Sequence, residues 1–189
     1  MDEKYIKDVA AEYEYYTYDD VIKIDDGNRY ELIDGRIYMM SNPSRAHQKA
    51  CGELHVLFHD FLKGKSCEVY ISPFAIRLNA GKNNEAMLLP DLLVACDESK
   101  FTDNSYNGPP SLVIEILSPS TTRHDRVTKY NKYLQAGVPE YWIVNPVDKS
   151  LAVHLLEGGK YTATYYEIPD VVPVQALPGC EIELEQVFG

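Results

Sequence analysis

Two acidic residues lie inside otherwise apolar runs: Asp91 in MLLPDLLVAC and Glu115 in SLVIEIL. A carboxylate held near a dry interior is costly unless it is paired, hydrogen-bonded or bound to a metal. Two such residues in similar settings ask for one shared explanation. If their strands are neighbours, both carboxylates can converge on one divalent cation with hard oxygen ligands. Mg²⁺ prefers such a site and leaves positions for water and a phosphate. Taken singly, each carboxylate could instead be capped by backbone or by an arginine at a strand end.

Asp125, Lys129 and Tyr133 recur every four residues and so line one side of a helix. On a wheel of 100° per residue, Val127, Tyr130 and Leu134 form the apolar stripe and Lys129 sits about 130° from its centre. That placement predicts a solvated Asp125–Lys129 pair with Asp125 serving the helix cap. The helix nevertheless starts a few residues after Glu115, close enough for a long lysine to lean over the strand end. Arg123, Arg126, Lys129 and Lys132 are the densest basic cluster of the chain and could meet phosphate.

The histidines divide by context. His47 falls on the apolar face of a long helix, in its first turn, where it is either a core residue or one facing a site at a sheet edge. His55 and His59 read H-V-L-F-H, without the glutamate of a zinc-protease helix. Glu31 shares a strand face with Ile33 and, by itself, reads as an exposed strand residue. There is no G-x-S-x-G, no P-loop and no G-x-G-x-x-G, so hydrolase-elbow and nucleotide-binding readings lack their defining residues.

The elements that must position these groups follow from patterning. Thr17-x-x-Asp20 starts a short helix. Tyr30 to Ile33 and Arg36 to Met40 form a hairpin about Asp34-Gly35, a dipeptide suited to two positive φ angles. Ser44 to about Lys63 has helical apolar spacing. Strands are expected at Cys67 to Leu78 and Met87 to Cys96, and an exposed loop over Lys100 to Pro110. Ser111 to Leu117 reads as a central strand covered on both faces. Ser118 to Thr122 ends it and starts a helix, with Thr122 and Asp125 as a capping box and Gly137 as its stop. Glu140 to Asn145 completes strand, helix, strand. Antiparallel strands follow at Leu151 to Leu156, Tyr161 to Ile168 and Glu181 to Leu184. The class is α/β or α+β, with a mixed sheet flanked by helices.

With 189 residues, 45% of them hydrophobic and 25% charged, the chain fits one folded domain, 1–189, with an N-terminal arm over 1–16 and a C-terminal β extension over 151–189. No stretch suits a membrane span or a signal peptide, so a cytoplasmic protein is expected. Eighteen Lys plus Arg against 29 Asp plus Glu give a formal charge of −11. That balance works against tight non-specific nucleic-acid binding unless a local patch or a metal meets the phosphates. The four cysteines, Cys51, Cys67, Cys96 and Cys180, form no C-x-x-C pair and read as buried thiols.

Taken in order, Tyr30-Glu31-Leu32-Ile33-Asp34-Gly35, His47, Pro90-Asp91, Pro109 to Ser120, Asp125, Lys129, Tyr133 and Gly137-Val138-Pro139-Glu140-Tyr141-Trp142 make a series that resembles the Uma-type restriction endonuclease family within the PD-(D/E)XK nuclease superfamily. The resemblance runs from about Thr17 to Leu156. It implies a restriction-endonuclease-like core and Mg²⁺-dependent hydrolysis of DNA phosphodiester bonds, with Mn²⁺ as a substitute. Asp91 matches the family's PD and Glu115 its second acid. The lysine usual two residues later is missing, since Leu117 stands there, and Lys129 matches the family's migrated lysine. Glu31 matches its upstream acid and His47 a recurrent histidine.

The roles implied are Asp91 and Glu115 on the metal, helped by the Ile116 carbonyl, with Glu31 bound through water or orienting a ligand. Lys129 would position the attacking water or stabilise the transition state. His47, Asp125 and Tyr133 are auxiliary. The alternative is a non-catalytic protein that keeps the fold as a homodimer built on the Tyr-rich C-terminal strands. Intact Asp91, Glu115 and Lys129 favour the enzyme, and the −11 charge favours the alternative.

Overall fold

A computed structural model of the chain describes residues 15–82, 85–118 and 124–189. Residues 1–14 of the expected arm over 1–16, the loop tip at 83–84, the helix start at 119–122 with its Thr122 capping box, and Arg123 of the basic cluster lie outside the described residues.

Thirteen strands, β1 to β13, run in chain order with four α-helices among the described residues. The short helix α1 is Tyr18–Val21, started by Thr17, whose amide and hydroxyl both donate to Asp20 (2.8 and 2.6 Å). Hairpin β1 (Tyr30–Ile33) and β2 (Arg36–Met39) turns at Asp34 and Gly35, whose φ angles of 50° and 75° fit the expected turn. Helix α2 (Arg45–Leu62) is capped by Ser44, whose hydroxyl accepts from the His47 amide, and it buries His47, Ala50, Leu54, Phe58 and Leu62.

Each of the two long strands expected next is in fact two. Cys67 to Leu78 becomes β3 (Glu68–Ile71) and β4 (Ala75–Leu78), and Met87 to Cys96 becomes β5 (Ala86–Leu88) and β6 (Leu92–Ala95). The breaks fall at Pro73 and Pro90, which lack the N–H that a ladder needs. Because β3 pairs with β6 and β4 with β5, the two breaks form one corner where the chain passes between sheets. Across that corner the Ser72 amide donates to the Asp91 carbonyl (3.2 Å). The corner therefore delivers Asp91 to the seam.

The expected loop over Lys100 to Pro110 is likewise corrected. It carries a 3₁₀ turn at Glu98–Lys100 and strand β7 (Ser105–Asn107), whose Ser105 and Tyr106 are buried. The wholly buried strand β8 (Leu112–Ile116) runs parallel to β9 (Glu140–Asn145) and antiparallel to β6. Between β8 and β9 come a π-helical segment, His124–Lys129, and helix α3 (Tyr130–Ala136), ended by Gly137 at φ 80°. The C-terminal part comprises β10 (Ser150–Glu157), β11 (Lys160–Glu167), β12 (Val171–Pro173), β13 (Glu181–Glu183) and α4 (Leu184–Phe188).

The strands assemble into a six-stranded mixed sheet, β11-β10-β9-β8-β6-β3, a five-stranded sheet, β2-β1-β5-β4-β7, and the small pair β12-β13. One face of the larger sheet, through Leu92, Ile114, Ile116 and Trp142, packs on α2 and α4. Its other face, through Leu93, Val113, Tyr141 and Ile143, meets the smaller sheet and Tyr133 of α3. This is the α+β class with a mixed sheet flanked by helices. No helix among the described residues is long and apolar enough to cross a membrane.

One thiol expectation fails. Cys67 and Cys96 are joined as a disulfide, because they sit opposite each other one step beyond the Glu68↔Ala95 pair of the β3–β6 ladder. Cys51 and Cys180 are free, and burial pushes each thiol up to about 11.

Candidate active site

Strands β6 and β8 pair with Leu92 opposite Ile114 and Leu93 opposite Val113. One further step along that register sets Asp91 opposite Glu115, and opposed residues point to the same face of a sheet. That face is the one carrying Leu93 and Val113, toward the smaller sheet. The two carboxylates therefore share a side, and the Ile116 amide donates to Asp91 Oδ2 at 2.7 Å. His47 Nε2, from the first turn of α2, stands 3.0 Å from the same oxygen.

Glu115 is 2% exposed, and its Oε1 accepts from Lys129 Nζ (3.0 Å) and from the Tyr133 hydroxyl (2.7 Å). Burial pushes this carboxyl well above the usual range. Lys129 opposes the shift, and the nearby Asp125, Asp91 and Glu31 charges add to it. Lys129 itself is 3% exposed and touches three carboxylates: Glu31 Oε1 at 2.8 Å, Glu115 Oε1 at 3.0 Å and Asp125 Oδ1 at 3.6 Å. Burial works against its charge, but Glu115, Glu31 and Asp125 together hold the ammonium well above its ordinary value.

The expected solvated Asp125–Lys129 pair is overturned. Val127, assigned to the apolar stripe, is 53% exposed, while Asp125, Lys129 and Tyr133 are buried. The wheel assumed α geometry throughout, whereas His124–Lys129 is π-helical, and its wider turn changes the phase of the face. The basic cluster does not form a phosphate patch either. Lys129 is enclosed by carboxylates, and Lys132 is buried against Asp34, which leaves Arg126 as the exposed member among the described residues.

Glu31 is likewise not an exposed strand residue. It is 2% exposed, and it accepts from the Leu89 amide (2.9 Å), from Lys129 and, at Oε2, stands 3.2 Å from His124 Nε2. Burial disfavours its charge, yet Lys129 and these donors hold the carboxyl below its usual value. The first strand of one sheet is thereby tied to the helix that follows the central strand of the other.

His124 and Tyr38 escape sequence reasoning. Their rings lie 4.7 Å apart, and Tyr38 is directly opposite Glu31 in the hairpin register. The only hint in sequence is that His124 immediately precedes Asp125. His55 and His59, by contrast, stack on one another at 6.0 Å and do not line the cavity described next.

Asp91, Glu115, Ile116, Glu31, His47, Asp125 and Lys129 all line one cavity of about 300 Å³. Tyr133 lies behind it, through Glu115. Its floor holds four carboxylates against one ammonium, an excess of negative charge suited to a hard cation. Among the described residues no three His, Cys, Asp or Glu side chains close on one point as a metal cage. Asp91 and Glu115 are the carboxylates that could serve Mg²⁺, an ion that takes one or two protein carboxylates and completes its shell with water and substrate.

A family model described as "Putative restriction endonuclease", Uma2, matches residues 12–185. Two uncharacterized proteins of Synechocystis sp. are similar, one 28% identical over 79% of this chain and 78% of its own length, the other 30% identical over 54% and 58%. The crystal structure of "a putative nuclease belonging to DUF820" from Anabaena variabilis has the same fold. It superposes with a TM-score of 0.74 over 90% of this chain and 96% of that one, at 18% identity.

Proposed function

The chain belongs to the Uma2 family, and from that premise we propose that it is a Mg²⁺-dependent endonuclease that hydrolyses DNA phosphodiester bonds. The observation that carries the reading is that Asp91 and Glu115 line one cavity, beside an ammonium that two of the surrounding carboxylates hold within 3.0 Å. A structural ion pair needs one carboxylate for one lysine. Here further acids are buried around it, and a divalent cation accounts for the surplus.

Asp91 and Glu115 would hold Mg²⁺, or Mn²⁺ in its place, with the Ile116 main chain alongside. When bound, the ion lowers the pKa of a coordinated water and neutralises charge on the scissile phosphate. Asp91 is kept in orientation by two donors on Oδ2, the Ile116 amide and His47. Lys129 is fixed by Glu31 and Asp125, so its charge is already in place when negative charge develops on the phosphate, which is how preorganised groups lower a barrier. Glu31 has its oxygens engaged by Leu89, His124 and Lys129, and so acts by orienting Lys129. Tyr133 holds the Glu115 oxygen that faces Lys129.

The test is incubation of supercoiled and of single-stranded DNA with Mg²⁺, with Mn²⁺ and with chelator, using the wild type and Asp91→Ala purified in parallel. Nicking that needs the metal and disappears in the variant is the expected result. Identical lanes throughout overturn the proposal.

A further inference from the structure

We infer that the substrate of this site is single-stranded DNA, or a strand unpaired at the point of cleavage, with one base lodged against Tyr38. The inference rests on the nuclease reading and adds the form of the substrate. Three observations lead to it.

The first is depth. Glu115, Lys129 and Asp125 are each no more than 3% exposed, and Asp91 is the more open carboxylate, with 14% of its side chain accessible. A phosphate must descend into a cavity of about 300 Å³ to reach them. That space suits one nucleotide, in the way that enzymes acting on an extruded nucleotide enclose it. A stacked duplex presents its phosphates on a convex surface and keeps both bases of a pair inside.

The second is charge. Among the described residues lining the cavity the cations are Lys129, spoken for by three carboxylates, and Arg29. Duplex binding that relies on backbone contacts neutralises several phosphates at once, and in a chain of net charge −11 the described lining, with one cation beyond Lys129, does not provide them.

The third is the wall. Tyr38 lies on the hairpin opposite Glu31, with its ring against His124. Met39 at 66% exposure and Ile71 at 44% also line the cavity. Every base has a π face, so an aromatic wall holds an unstacked base whatever its identity, and affinity comes from stacking where phosphate contacts are few.

The experiment uses the full chain with one end-labelled oligonucleotide, offered alone and annealed to its complement, in Mg²⁺ for cleavage and in Ca²⁺ for binding by fluorescence anisotropy. The single strand should be cut at least about tenfold faster, and its affinity should fall with salt at a log–log slope shallower than about −2, the signature of one or two phosphate contacts. Tyr38→Leu should raise KM for the single strand and erase the preference, while Tyr38→Trp, which keeps a stacking surface, should retain it. Cleavage of duplex at an equal or greater rate overturns the inference and leaves the nuclease reading standing, as does a Tyr38→Leu protein that is folded and keeps the preference. If neither substrate is cut, the nuclease reading falls and the Ca²⁺ binding data decide alone. Tighter single-strand binding that depends on Tyr38 then supports the inference, and equal or absent binding overturns it.

Discussion

The ammonium of Lys129 lies 2.8 Å from the Glu31 carboxylate, joining the helix after the central strand of one sheet to the first strand of the other. Both groups are 3% exposed at the side chain, so neither is screened by water. Removing the cation leaves Glu31, Glu115 and Asp125 buried without it. Lys129→Met should cost about 3–5 kcal/mol at neutral pH, the usual penalty for breaking a buried pair.

That loss should depend on pH with a definite sign. In the wild type Glu31 has a lowered pKa, so its contribution is present above the ordinary carboxylate value and disappears as pH falls through the folded value. Without Lys129 the carboxyls lose the group that opposes their desolvation, and the variant gains stability as they protonate. Urea unfolding at neutral and acidic pH should show the gap between the proteins narrowing on the acid side. A constant gap would mean that Lys129 contributes packing alone.

Glu115 carries the opposite sign. Its pKa is raised, chiefly by burial, so the neutral form suits the folded protein and the charged form costs stability as pH rises through the folded value. Glu115→Gln, melted in chelator at neutral pH, should therefore be the more stable protein by roughly 1 kcal/mol, or about 2–4 °C. It should also fail to nick supercoiled DNA. A variant that is both less stable and active would contradict the assignment of Glu115 as a site residue retained against stability.

His47 touches Asp91 through Nε2, while its buried Nδ1 has no hydrogen-bond partner among the described residues. Its effect on chemistry should pass through Asp91. His47→Leu should weaken Mn²⁺ binding by about 10–100-fold, as loss of a partner behind a metal ligand generally does. His47→Gln, which keeps a donor, should recover part of that affinity. Calorimetric titration of Mn²⁺ into each folded variant checks it.

Glu140 provides a contrast away from the site. It is 1% exposed, and it accepts from Trp142 Nε1 and from the Ala176 amide, both at 2.7 Å. Glu140→Ala strands the buried Trp142 indole N–H and the part-buried Ala176 amide and should cost about 2–4 kcal/mol. Cleavage per folded molecule should stay unchanged, measured as nicking rate against the folded fraction.

Local patterning carried much of the fold. The Asp34-Gly35 turn, the helix begun at Thr17, the helix from Ser44 to about Lys63 and the buried strand around Glu115 were legible because turn chemistry, capping and apolar period act over a few residues. The intrusion of Asp91 and Glu115 into apolar runs was legible for the same reason, and the ordered motifs added the family. The two prolines that split the long strands were visible as well, but not their consequence, since which sheet each half joins depends on partners far along the chain.

The rest needed the tertiary structure. Lys129 read as solvated because a wheel assumes one helical pitch, and the π-helical His124–Lys129 segment departs from it. Glu31 read as exposed because nothing near it in sequence contains Leu89, His124 or Lys129, its actual partners. A buried charge is stabilised by groups within a few ångströms in space, whatever their separation along the chain. The sequence alone therefore determined which residues were costly to bury, and only the packing of two sheets and a helix decided which of them share one cavity.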